Sequence, residues 1–210
     1  MRALDDAEIA QLLTAAKGTV FHGPVLLALT AGMRRGEILG LRFSDIDMSA
    51  GSLSVVRALQ DSDDGLVFKQ PKTRKGRRTI LLPESVMQSL REYRDAQEAA
   101  RVLLPPVDGI YNDLVFTRAD GSPWHPGAFS AEFHQFMLRT KIKARFHDLR
   151  HTSATQLLKR GVPVNVVSER LGHAKASITL DVYAHVLPTM QQEAAARVGE
   201  MMDEALRAAG

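Results

Sequence analysis

His147-Asp148-Leu149-Arg150, Leu171-Gly172-His173 and Tyr183 bring an arginine, two imidazoles and a phenol into a stretch of about 40 residues. Each type has a distinct use if the target is a phosphodiester. A guanidinium holds anionic oxygens by paired, charge-assisted hydrogen bonds, an imidazole moves protons, and a phenol attacks phosphorus. His147 and Arg150 are three apart, so a helix would turn both toward one ligand. Gly172 stands where a helix should end and can turn the chain so that His173 projects from a corner. Taken singly, a His-x-x-Arg pair also fits an ordinary surface helix, His173 a structural histidine and Tyr183 a core aromatic. His147 and His151 share the four-residue spacing of helical zinc sites, but the metalloprotease glutamate is missing and Arg150 would put a cation beside the metal.

The elements that must position these groups belong to an ordinary globular chain. With 210 residues, 45% hydrophobic and 24% charged, one domain with a sizeable core is expected and wholesale disorder is excluded. No apolar run reaches the length of a membrane span, and the first residues lack the apolar stretch of a secretory signal. The absence of cysteine rules out disulfides and thiolate metal sites and fits a reducing cytoplasm. Charge is unevenly spread. Residues 189–210 are net −2, which leaves +5 on the body. Lys69, Lys72, Arg74, Lys75, Arg77 and Arg78 form a basic cluster with no acid among them. Such a cluster suits a polyanion and equally suits a solvated hairpin tip; charge alone leaves both open.

Apolar periodicity predicts helices over Asp5 to Ala16 and Pro24 to Ala31, with a short one through Glu37 and Leu41 after Gly32. Leu53 to Val56, Gly65 to Phe68 and Arg78 to Leu82 are β-prone and separated by turn sequences, which predicts one three-stranded antiparallel sheet. Further helices are expected over Pro83 to Ala100, Pro126 to Thr140, His147 to Lys159, Val164 to Leu171 and Ser177 to His185. Met190, Ala194, Val198, Met201 and Ala205 make an apolar stripe on a tail helix. The expected class is therefore mainly α with a small antiparallel three-stranded sheet.

An upstream element adds to the C-terminal cluster. Gly32-Met33-Arg34-Arg35-Gly36-Glu37 precedes Pro71-Lys72-Thr73, His147-x-x-Arg150, Leu171-Gly172-His173 and Tyr183 in that order. This series resembles the catalytic domain of the tyrosine recombinases, the phage integrase family, and the resemblance runs from about Leu4 to Pro188. It implies Arg34, Lys72, His147, Arg150, His173 and Tyr183 as active-site residues, with Glu37 as a supporting acid beside Arg34. Met33 stands where leucine is commoner, a volume-conserving swap.

The chemistry implied is cleavage and rejoining of double-stranded DNA through a 3′-phosphotyrosyl intermediate, without metal, cofactor or ATP. Arg34 and Arg150 would clamp the phosphate, and Tyr183 would attack with His147 as base. Lys72 would protonate the departing 5′ oxygen and His173 would bond the phosphate. A type IB topoisomerase-like nicking and relaxing activity uses the same groups, and a catalytically silent DNA-binding remnant is a third reading, set against the full complement of polar residues. Lys69, Arg74, Lys75, Arg77 and Arg78 are the expected DNA-backbone contacts.

The domain reading is a catalytic domain over residues 1–188 and an amphipathic tail helix over 189–210, without the N-terminal core-binding domain of full-length members. Weak, poorly selective duplex binding follows from that reading. The resemblance also implies self-association on DNA as a tetrameric synapse, with the tail docked either on its own core or on a neighbour, and a cytoplasmic, nucleoid-associated protein without membrane attachment.

Overall fold

Helix α1 (Asp6–Ala16) begins at Asp5, whose carboxylate accepts the Glu8 N–H at 2.8 Å while Glu8 accepts the Asp5 N–H at 3.2 Å. In this computed structural model, which describes residues 2–63, 65–71, 76–101, 109, 111–175, 177, 179–180 and 187–209, the same device recurs where the chemistry sits. Helix α3 (Arg35–Leu39) starts with Glu37 accepting the Arg34 N–H at 2.8 Å. Helix α6 (Phe146–Lys159) starts with Asp148 accepting the Arg145 N–H at 2.9 Å. In each case an acid at the third helical position satisfies a donor that the helix leaves unpaired.

Between these lie α2 (His22–Thr30), α4 (Glu84–Arg101) and α5 (Pro126–Thr140), while α7 (Val164–Leu171) follows α6. Pro126 occupies the first turn of α5, where its missing N–H costs nothing. The last described helix, α8, spans Leu187–Ala209. Within it Val198, Met201, Met202 and Leu206 are exposed, so the apolar stripe from Ala194 onward lies open to solvent. The helix expected over Ser177 to His185 falls largely outside the described residues, as does Tyr183. Among the described residues no helix is long and apolar enough to cross a membrane.

The sheet differs in membership from the expectation. Strand β2 (Ser52–Val55) is central in a three-stranded antiparallel sheet, flanked by β1 (Ile46–Asp47) and β5 (Arg78–Leu81). The registers pair Ile46 with Leu53 and Leu53 with Ile80. Strand β4 (Gly65–Lys69), expected in that sheet, instead forms a separate hairpin with β3 (Ala58–Ser62), pairing Leu59 with Phe68 and Ser62 with Gly65. Ala-Leu-Gln-Asp-Ser has no β-branched or aromatic residue, so β3 carries no local strand signal. It is a strand because β4 pairs with it and because Leu59 is buried.

The core is aromatic around α5 and α6. Phe146 meets Phe129 and Phe133 edge-on, with ring centroids 5.0 Å apart in each pair. Trp124 and Phe21 pack on the same group. Leu4 seals the N-terminal edge: its N–H donates to Thr152 Oγ1 at 3.0 Å, and its carbonyl accepts from Gln156 Nε2 at 3.0 Å. These bonds fasten the start of the chain to α6, the helix that carries His147 and Arg150.

Candidate active site

Arg34, His147, Arg150 and His173 come from three separate segments, the start of α3, α6 and the end of α7, and line one cleft of about 1020 Å³. Lys69, Gln70, Pro71 and Gly76 line it too, so the residues on either side of positions 72–75 stand at its rim. Lys72, Arg74 and Lys75 lie outside the described residues, as does Tyr183. Four of the six expected active-site residues are thus brought together.

Arg150 is 5% exposed, and its two Nη atoms bind the backbone carbonyls of Gly32 and Leu171, the latter at 2.7 Å. One guanidinium therefore ties α6 to the loop before Arg34 and to the end of α7. Gly32 makes this approach possible. Its φ is +61°, and a Cβ there would lie 2.6 Å from Leu171 Cδ2. Gly32→Ala therefore combines left-handed strain of about 1–2 kcal/mol with an overpacking cost of about 1–3 kcal/mol. Chemical denaturation should show a loss of about 2 kcal/mol or more; an unchanged midpoint would count against this packing.

Arg34 projects with its side chain 44% exposed, while Glu37 beside it is 5% exposed. Glu37 accepts from Arg34 Nη1 at 2.9 Å and from Arg78 Nη2 at 2.9 Å. Burial pushes the Glu37 pKa up, but the Arg78 guanidinium, followed by Arg34, outweighs it and leaves the carboxyl below its ordinary value. The supporting acid is thus an ionised hub between two arginines.

Arg78 departs from its expected role as a DNA contact. Its side chain is 7% exposed and is bound to Glu37, to the Arg170 carbonyl at 2.7 Å and to the Gly76 carbonyl at 3.2 Å. In β5, Arg78 and Ile80 face inward while Thr79 and Leu81 face outward. That two-residue alternation is the available sequence signal: an arginine on the buried face of a strand needs an acid partner. Lys69 and Arg77 are exposed, and Arg77 is bonded to Gln70.

Both imidazoles are held in their neutral forms. Desolvation lowers the His147 pKa, with the Arg150 charge adding to it and Asp148 opposing. Desolvation, followed by the charges of Arg150, Arg34 and Arg78, lowers His173 to about 4. Gly172, at φ +68°, caps α7 and delivers His173 to the rim, and Nδ1 of His173 lies 2.8 Å from the hydroxyl of buried Thr179. Thr179 was not apparent from the sequence. Because the folded pKa of His173 lies below the unfolded value of about 6.5, its contribution to stability is full above that pH. It is lost as pH falls toward about 4. His173→Gln should therefore flatten the decline in stability between pH about 6.5 and about 4; an unchanged slope in pH-dependent denaturation would contradict the assignment.

His151, one turn after His147, is buried within α6, and among the described residues no three His, Cys, Asp or Glu side chains are grouped to hold a metal ion. The cleft presents instead the guanidiniums of Arg34, Arg35 and Arg150 and two neutral imidazoles, a donor set for an anion with proton-transfer groups beside it.

Comparison with known proteins places the chain in a family. The family model described as the phage integrase family matches residues 2–190. A tyrosine recombinase XerC-like protein of Caldanaerobacter subterraneus subsp. tengcongensis is 33% identical over 96% of this chain and 54% of its own length. The ICEBs1 integrase of Bacillus subtilis is 28% identical over 84% of this chain and 48% of its own. The chain thus spans about half the length of the curated relatives it matches. Among solved structures, the Tn1549 transposon integrase in complex with transposon right end DNA superposes with a TM-score of 0.79 at 21% identity, covering 92% of this chain and 66% of that one. The catalytic domain of bacteriophage HP1 integrase gives 0.60 at 19% identity, covering 93% and 94%. At those identities the structures establish the fold, while the family model covers most of the sequence. The chain belongs to the phage integrase family.

Proposed function

We propose that this chain carries the catalytic centre of a site-specific DNA recombinase, with residues 1–188 as catalytic domain and 189–210 as a docking tail. The observation that carries this reading is the convergence of Arg34, His147, Arg150 and His173 on one cleft beside the basic turn. A phosphodiester under in-line attack builds negative charge on its non-bridging oxygens, and Arg34 and Arg150 hold those oxygens. Tyr183 Oη attacks phosphorus and His147, neutral at pH 7, takes the phenolic proton. The bond from phosphorus to the 5′ oxygen breaks, and Lys72 gives that oxygen a proton. The products are a 3′-phosphotyrosyl link and a free 5′-hydroxyl. Because the link keeps the phosphodiester's energy, a 5′-hydroxyl from another strand reverses the step and reseals without ATP.

Lys69 and Arg77, with Arg74 and Lys75 of the same turn, contribute backbone-phosphate contacts. The acidic tail, with its open apolar stripe, is suited to protein rather than DNA, and we assign it to a neighbouring protomer assembled on the duplex. The protein acts where the nucleoid is. Offered cleaved half-sites and a second, differently labelled duplex carrying the sequence that flanks its gene, the protein should join the strands of one duplex to the other. Relaxation of supercoils with no such joining would replace this reading with a topoisomerase-like one, and neither activity would overturn both.

A further inference from the structure

Arg34, Arg150 and the His173 corner are joined by one closed circuit of hydrogen bonds. From Gly32, whose carbonyl binds Arg150, the circuit passes through the Arg150 guanidinium to the Leu171 carbonyl at 2.7 Å. The adjacent carbonyl, Arg170 O, accepts from Arg78 Nε at 2.7 Å. Arg78 then meets Glu37 through two bonds, of 2.9 and 3.2 Å. Glu37 returns to Arg34 through the backbone N–H at 2.8 Å and Nη1 at 2.9 Å, two residues from where the circuit began. A branch runs from Arg78 Nη1 to the Gly76 carbonyl, at 3.2 Å.

We propose that Arg78 is a positioning residue, the member that closes this circuit and sets the distance between the two arginines that grip the phosphate. The inference rests on the phosphoryl-transfer reading of the cleft. Arg78 reaches three different segments, the α3 start through Glu37, the α7 end through the Arg170 carbonyl and the chain before β5 through the Gly76 carbonyl. The carbonyls at the end of α7 are acceptors that a helix terminus leaves without intrahelical partners, and arginines from α6 and β5 take two adjacent ones. A buried ion pair adds little net stability over apolar side chains of the same volume, so what Arg78 contributes is geometry. Lysine at this position keeps the charge and loses the fork: one ammonium cannot serve the Glu37 carboxylate and two carbonyls in the same plane.

Nitrogen-15 NMR of the full chain tests this without any DNA. A guanidinium held by an acceptor rotates slowly and gives separate Nη signals, and Arg150, on two carbonyls, and Arg34, on the Glu37 carboxylate, should both do so in the wild type. In R78K, checked for cooperative melting, the Arg150 and Arg34 signals should merge. E37Q, which keeps shape and removes charge, should merge those of Arg34, and the double variant should go no further than R78K alone. Inorganic phosphate, titrated into the same samples, should bind R78K about tenfold more weakly than wild type. Unmerged Arg150 and Arg34 signals in folded R78K overturn the positioning role, whatever phosphate does. Merged signals in R78K, together with a wild type that ignores phosphate, leave the positioning role standing and bring down the phosphoryl-transfer reading.

Discussion

An Arg150→Lys variant is expected to form covalent adduct with DNA about a hundred- to a thousandfold more slowly than the wild type while remaining folded. The magnitude follows from what the guanidinium does in two directions. Toward the protein it holds the Gly32 and Leu171 carbonyls. Toward the cleft it stands with Arg34, where the proposed reaction would develop phosphate charge. A planar fork with five donors serves the frame and a phosphate oxygen together, and a lysine ammonium on a flexible stem does not. Stability should change less than activity. The lost hydrogen bonds to carbonyls cost about 1.5–3 kcal/mol, with no compensation from charge, because lysine keeps the unit charge and its ammonium is the more strongly hydrated group. Single-turnover rates with melting curves check this, and a rate within tenfold of wild type would remove Arg150 from the clamp.

Lys72→Ala should cost about a hundred- to ten-thousandfold in cleavage, the range expected when a general acid is removed. Loss of rate alone does not separate an acid from a phosphate contact. A substrate in which sulfur replaces the bridging 5′ oxygen does, because a thiolate, with a pKa of about 8.5, leaves without a proton. The variant should cleave that substrate at close to the wild-type rate. Equal impairment on both substrates, accompanied by weaker binding, would make Lys72 a contact for the backbone and leave the leaving-group proton unassigned.

The order of chemical groups along the chain was readable because each sits in a short pattern with its own local cause. Arg34 and His147 both stand at helix starts fixed by acids, Glu37 and Asp148, three residues into the capping pattern. His173 follows a glycine in a left-handed helix cap. Helix positions were readable for the same reason, and α5 and α7 match their expected spans. What escaped the sequence lay in pairings rather than in local propensity. Strand β3 exists through its pairing with β4 and has no propensity of its own. Arg78 looked like one more charge in a basic run until burial separated it from Arg77, its exposed neighbour. Thr179 orients His173 from six residues away, and a lone threonine carries no pattern. In each instance the deciding interaction is a pairing that no local pattern announces.

On the proposed function, this chain breaks a phosphodiester by making its own tyrosine the new ester. A nicked suicide duplex carrying the sequence that flanks the gene lets the short fragment diffuse away after cleavage and traps the link. The wild type should shift to a DNA-bound species resistant to denaturant, and peptide mapping should find the nucleotide on Tyr183. Tyr183→Phe should give no such species under the same conditions. Persistence of the adduct in Tyr183→Phe would contradict the assignment of the nucleophile, and with it the account of the site.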